Sequence, residues 1–210
     1  MTKRLNRKFK TCSKFNQDLW GHISTQGKKV KSLRKVGPAS NNSLSEYGIR
    51  LQAKQKLKSY YCNITEKQFK NIYKKALKYP GKSYENLLIL LERRLDTVLY
   101  RMNFAPTFYS SRQIISHSHI KVNGRKVNVP SYVVKNGDLI QVKNSSLGYL
   151  YNKLKNHSQN EKLGFIKPLP SHLEVNYKVF AGILVHTPVI SEIAYNANME
   201  VKKALEFYKS

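Results

Sequence analysis

The chain has 210 residues, 40 % of them apolar, with 38 Lys and Arg against 12 Asp and Glu and a formal net charge of +26. That length allows one or two compact domains, and an excess of cations this large repels itself unless a polyanion is near, which argues against an enzyme with no bound partner and for nucleic acid. No apolar run is long enough to cross a bilayer, no lipidation motif is present, and two isolated cysteines, Cys12 and Cys62, make neither a disulfide framework nor a zinc site. No membrane, metal, cofactor or small-molecule substrate is therefore expected.

Met1 to Asn42 is dense in Lys and Arg and holds no apolar period, so a basic irregular N-terminal arm is expected, ordered mainly by nucleic acid. Ser43 and Glu46 have capping-box spacing ahead of a helix carrying Tyr47, Leu51, Ala53, Leu57 and Tyr60, with Arg50, Lys54, Lys56 and Lys58 between them. A second capping box, Thr65 and Gln68, opens a helix whose Phe69, Ile72, Tyr73, Ala76 and Leu77 share one face until Pro80-Gly81 stops it. Ser83 is the expected cap of one long helix reaching about Phe104, and a short helix from Thr107 to His117 follows.

The period then changes from helical to alternating. Asn123-Gly124 sits between two alternating runs, the strongest short hairpin signal, because both central residues of a type I′ turn need positive φ. Asn136-Gly137 is expected to join Val133-Val134 to Leu139–Val142 in the same way. Residues 143–167 are polar, with a short helix expected around Tyr149 to Leu154. Pro168-Leu169-Pro170 reads as a linker, His172 to Val175 and Phe180 to Val185 as strands, and Val201, Ala204, Leu205 and Tyr208 as one helix face.

Arg94-Leu95-Asp96, Phe104-Ala105-Pro106-Thr107, Arg112-Gln113, Ser116-His117-x-His119-Ile120, Val122-Asn123-Gly124-Arg125-Lys126-Val127-Asn128, Pro130-Ser131 and Gly137-Asp138 stand in one ordered series. With Glu85-Asn86-Leu87-Leu88 before it, this series closely resembles the S-four family of small ribosomal subunit proteins. Likeness extends to Tyr47-Gly48 through Lys58, Glu66 to Phe69, Leu173-Glu174-Val175 and Glu206-Phe207-Tyr208, and fades in the first forty residues. The resemblance implies an α+β fold: a helical body domain with an inserted helix-helix-β-hairpin RNA-binding domain. Boundaries follow as 1–42 for the arm, 43–91 and 172–210 for the body, and 92–171 for the insert.

It implies a structural, non-enzymatic constituent of the small subunit that binds small-subunit ribosomal RNA at a multi-helix junction, nucleates assembly of the subunit body and touches neighbouring ribosomal proteins. The zinc-binding cysteine cluster of some members is absent here. Two departures stand out: Ser118 replaces a glycine between the histidines, a strain if that position needs positive φ, and His172 replaces an aromatic residue.

The expected RNA-binding residues are Arg93, Arg94, Arg101, Arg112, Gln113, His117, His119, Lys121, Asn123, Arg125 and Lys126. Tyr47, Arg50, Lys54, Lys56 and Lys58 form a second basic surface. On one continuous helix Arg94 and Arg101 flank one edge of the apolar stripe, and Glu92 and Asp96 the other, so the arginines are expected to face RNA and the acids protein. Simple salt bridging on the helix surface is the plainer alternative, and each histidine either contacts RNA or packs. Rival functions are a pseudouridine synthase or an aminoacyl-tRNA synthetase carrying the same module, and a free RNA chaperone. Arg94-Leu95-Asp96 matches a pseudouridine synthase motif superficially, but no length remains for a separate catalytic domain. A weight of Lys, Asn, Tyr and Ser points to an AT-rich genome, so the expected location is an organelle-encoded mitochondrial ribosome, with plastid or bacterial cytoplasm as alternatives.

Overall fold

The computed structural model describes residues 8–15, 17–21, 45–160, 168–193, 195 and 197–208. It divides into two compact units, Met1–Lys70 with Tyr195–Ser210, and Asn71–Ala194.

The first unit is helical. Helix α1 (Lys8–Phe15) is followed by α2 (Glu46–Tyr60), the first turn of α3 (Glu66–Ala76) and the C-terminal α8 (Val201–Glu206). Ser45, not Ser43, caps α2 by accepting the Gly48 amide at 3.2 Å, and Ser43 lies outside the described residues. The Thr65 capping box forms: Thr65 Oγ1 accepts from the Gln68 amide and Gln68 Oε1 from the Thr65 amide. Leu57 and Tyr60 of α2 are buried, as are Val201, Ala204 and Leu205 of α8. The irregular arm needs correction. Cys12, Phe15, Leu19 and Trp20 are buried, and Trp20 Nε1 donates to the Tyr60 carbonyl at 3.2 Å. Residues 8–15 and 17–21 thus pack on the protein, and the rest of the arm lies outside the described residues.

In the second unit Gly81, at φ +97°, turns the chain after α3, and Asn86 Nδ2 donates to the carbonyls of Ala76, Tyr79 and Pro80. The single long helix is not found. It is two helices, α4 (Ser83–Glu92) and α5 (Leu95–Arg101), with Arg94 extended between them. The cause is distant in sequence: Leu95 and Asp96 donate their amides to the Tyr132 and Pro130 carbonyls, Val134 donates to Arg93, and Arg94 bridges Val133. These bonds satisfy amides that a helix start leaves orphaned. Lys82, which makes no side-chain capping bond, is the N-cap of α4 in place of Ser83.

Helix α6 (Phe108–Ser116) is capped by Thr107. Strands β1 (Ile120–Val122) and β2 (Arg125–Lys126) form the hairpin, with Asn123 at φ +49° and Gly124 at +76°. The second Asn-Gly makes no hairpin. Only Gly137 has positive φ there, and β3 (Leu139–Val142) pairs instead with β1 and with β5 (Ala181–Leu184). With β4 (Leu173–Asn176) the sheet is antiparallel, in order β2-β1-β3-β5-β4. The tail strands thus belong to this sheet, and the compact units divide the chain at 70/71 and 194/195. A Cβ on Gly182 of β5 would lie 2.9 Å from the thioether of Met102, the residue just after α5, so glycine leaves room for that side chain against the sheet. Helix α7 (Leu147–Asn160) buries Leu150 in the same core as Leu95, Val98, Leu99, Met102, Ile114, Ile115, Ile120 and Ile140.

Candidate nucleic-acid interface

A guanidinium beside an apolar stripe can reach outward to phosphate or inward to a carboxylate, and the break between α4 and α5 decides the matter here. Arg101 grips Glu92 in a two-pronged ion pair, Nε to Oε2 at 3.0 Å and the second nitrogen to Oε1 at 2.9 Å, and both residues are buried. Arg94 grips Asp96 likewise, at 3.1 and 2.9 Å, and Arg112 Nε adds a third bond to Asp96 at 2.8 Å. The expected sorting, arginines to one side and acids to the other, is therefore overturned. Arg94 and Arg101 are 5 % and 6 % exposed, while the Arg112 side chain keeps 27 %. Arg93 is half-buried and donates Nε to the Val134 carbonyl at 2.9 Å.

The hairpin end is built differently. Arg125 and Lys126 of β2 are exposed, Lys121 of β1 is half-buried, and Gln113 at the end of α6 is exposed. Asn123 is tied across to the neighbouring strand: Nδ2 donates to Asp138 at 2.8 Å and Oδ1 accepts the Leu139 amide at 2.9 Å, locking the hairpin onto β3. His117 is exposed and His119 half-buried, their rings nearly parallel at 6.0 Å between centroids; the His119 ring lies 5.4 Å from that of Tyr149 on α7. His119 Nδ1 and Ser146 Oγ are hydrogen-bonded at 2.8 Å.

On α2 most of the expected basic surface is engaged by protein. Lys54 is buried, 3.1 Å from Glu66 and over the Phe207 ring at 3.5 Å from its centroid. Lys58 also pairs with Glu66, Lys56 bonds the Asn198 carbonyl, and Arg50 pairs with Glu46 and Glu206. Tyr47 is exposed, with its ring 5.4 Å from Phe207. Burial raises the Glu66 carboxyl, but hydrogen bonds from Lys58, Tyr208 and Lys54 outweigh it and hold the group at about 2. Sequence reasoning passed over Lys67, Lys70, Lys74 and Lys75, all exposed on α3, although their spacing opposite Phe69 and Tyr73 was a usable signal. It also passed over Tyr149, whose ring neighbour lies thirty residues away and leaves no local trace.

His172 is buried, with Nδ1 3.7 Å from Glu192, and burial pushes its imidazole below the ordinary value, partly opposed by Glu92 and Glu192. Among the described residues no group of three or more His, Cys, Asp or Glu is placed to hold a metal ion, and no helix is long and apolar enough to cross a membrane.

Comparison with known proteins adds two family models. The S4 domain matches residues 93–140, and the ribosomal protein S4/S9 N-terminal domain matches residues 3–92. Three curated relatives, each named small ribosomal subunit protein uS4, align over 99 % of this chain and 99 % of their own. They come from Gluconobacter oxydans and Rhodospirillum centenum, both 41 % identical, and Methylobacterium nodulans, 40 % identical.

Proposed function

The chain belongs to the uS4 family of small ribosomal subunit proteins, and from that premise we propose that it binds small-subunit ribosomal RNA at a multi-helix junction and nucleates assembly of the subunit body. Membership gives it a structural role in the small subunit. The observation that carries the RNA reading is end-to-end likeness to that family in a chain of net charge +26. Neighbouring ribosomal proteins are its other partners.

Gln113, His117, His119, Lys121, Arg125 and Lys126, with the exposed part of Arg112, form the RNA face in this reading. Arg94, Arg101, Asn123 and Lys54 serve it at one remove, by fixing the fold beneath. A non-enzymatic role is supported by the place of Asp96. A catalytic carboxylate must reach its substrate, and this one is 1 % exposed under two guanidinium groups. The named relatives are bacterial, so the expected mitochondrial matrix finds no support in them, and the bacterial cytoplasm is the better reading.

Titration of the small-subunit RNA against salt tests the proposal. With about six to ten phosphates neutralised, affinity falls roughly 10³–10⁵-fold between about 50 and 200 mM salt. A response flat in salt contradicts it.

A further inference from the structure

We propose that His117, His119 and Tyr149 form a stacking platform for one unpaired RNA base, a proposal that rests on the RNA reading above. The rings come from three places in the chain: the C-cap of α6, the residue entering β1, and the first turn of α7. Ser118, at φ +60°, reverses the chain between the two histidines, with its amide bonded to the Ile115 carbonyl and the His119 amide to that of Ile114. That reversal leaves the two imidazoles 10° from parallel, with their centroids 6.0 Å apart.

One ring of the platform is held before any ligand arrives. The His119 ring is tied to the buried Ser146 hydroxyl, and the His119 carbonyl accepts the Lys143 amide at 2.8 Å. A ring fixed in this way loses little freedom on binding. The platform residues are also not core. Ile114, Ile115, Ile120 and Leu150 of the same segments point into the buried cluster, whereas His117 is exposed and Tyr149 is 50 % exposed.

Chemistry selects the ligand. Flat π faces beside exposed Lys143 and half-buried Lys121 suit a base with its phosphates. A base in a continuous A-form helix is already stacked on its neighbours, so the platform addresses a nucleotide splayed from a bulge or junction. Another protein's aromatic or Arg side chain is the competing occupant.

Two measurements on the full chain test this. The complex with small-subunit RNA is irradiated at 254 nm and the adducts are mapped by mass spectrometry. An adduct at His117, His119 or Tyr149 is expected. Binding of wild type, His117→Ala/Tyr149→Ala and Tyr149→Phe is then measured across salt. The double variant should bind about tenfold to a hundredfold more weakly at every salt concentration, with an unchanged slope in log salt, and Tyr149→Phe should bind normally. Wild-type affinity in the double variant overturns the platform and leaves the RNA reading standing; absence of RNA binding by wild type overturns both. Loss in Tyr149→Phe equal to that in the double variant assigns the effect to the hydroxyl, and adducts confined to other residues, or to protein in assembled subunits, also overturn it. The wild-type adduct decides the matter even if the double variant fails to fold.

Discussion

Arg101 and Arg125 are chemically the same side chain in two regions of one unit, and they meet opposite fates. Around the α4–α5 break, cations are matched: buried Arg101 with Glu92, and buried Arg94 and partly exposed Arg112 with Asp96. At the hairpin, Arg125 and Lys126 stand in solvent. The difference teaches that a carboxylate of the same fold can claim a basic side chain that position alone would offer to an anionic ligand; Arg112, bonded to Asp96 with its side chain 27 % exposed, stands between the two cases. The paired guanidinium groups neutralise two buried carboxylates, whereas the exposed Arg125 and Lys126 add positive field at the surface.

Breaking the buried side has the largest expected effect. Arg101→Ala leaves the Glu92 carboxylate buried and without this partner, which costs about 3–5 kcal/mol and lowers the melting temperature by roughly 6–20 °C. A thermal melt checks it. A shift below about 2 °C would mean that the pair is open to water and that the two regions differ less than they do here. The converse variant, Arg125→Ala/Lys126→Ala, should leave the melt within about 0.5 kcal/mol of wild type. Its salt slope for RNA binding should shrink by about one unit for each phosphate it no longer neutralises. An unchanged slope would remove the hairpin from the interface.

The hairpin was legible in the sequence because its signal is local: Asn123 and Gly124 supply positive φ where the turn needs it, and alternation on each side sets the register. The break between α4 and α5 was not legible, because its cause is the backbone of residues 130–134. That one omission misplaced Glu92, Arg94, Asp96 and Arg101. On a continuous helix Glu92 and Arg101, nine residues apart, lie about 180° from each other and cannot meet. Arg94 and Asp96, two apart, do not face each other on a helix either, but they do when Arg94 is extended at ψ 138°. The apolar stripe survived the error, since Leu87, Leu91, Leu95, Val98 and Met102 are buried whether or not the helix is interrupted. Strands β4 and β5 were recognisable as strands, but the pairing of β5 with β3 was not, because pairing over some forty residues leaves no periodic trace.

Acid sharpens the comparison further. Burial holds the His172 imidazole below its ordinary 6.5, so the folded state disfavours the proton that the unfolded chain accepts. Stability from this group is therefore present above about 6.5 and is lost as pH falls through the folded value, by at most about 1.4 kcal/mol per pH unit. Glu66 acts lower. Its folded value of about 2 lies below the ordinary 4.5, so its contribution is present above 4.5 and disappears as pH falls toward 2. The half-exposed Glu66 side chain keeps that contribution small. His172→Phe should thus flatten stability between about pH 6.5 and 5 while leaving the step below 4.5 in place; urea titrations at several pH values separate the two windows. A variant with the wild-type slope above pH 5 would acquit His172.

The smallest expected effect lies at the join between the two regions, where α6 ends. Ser118 occupies the left-handed position of a helix-terminating turn, at φ +60°, with the two backbone bonds to Ile115 and Ile114 that define it. A side chain there meets the following carbonyl, at a cost of roughly 1–2 kcal/mol that glycine avoids. Glycine gives back part of the gain, because its unfolded chain samples more states, worth about 0.5–1 kcal/mol. The net expectation for Ser118→Gly is a stabilisation of about 0.5–1 kcal/mol, read as a higher urea midpoint at unchanged slope. Because the same backbone bonds set the His117 and His119 rings, RNA affinity should stay at the wild-type level. A lower midpoint would show that the serine is not strained in solution. A higher midpoint with weaker RNA binding would show that the strain itself holds the rings in place, tying the exposed region to the buried one more closely than their separate chemistries require.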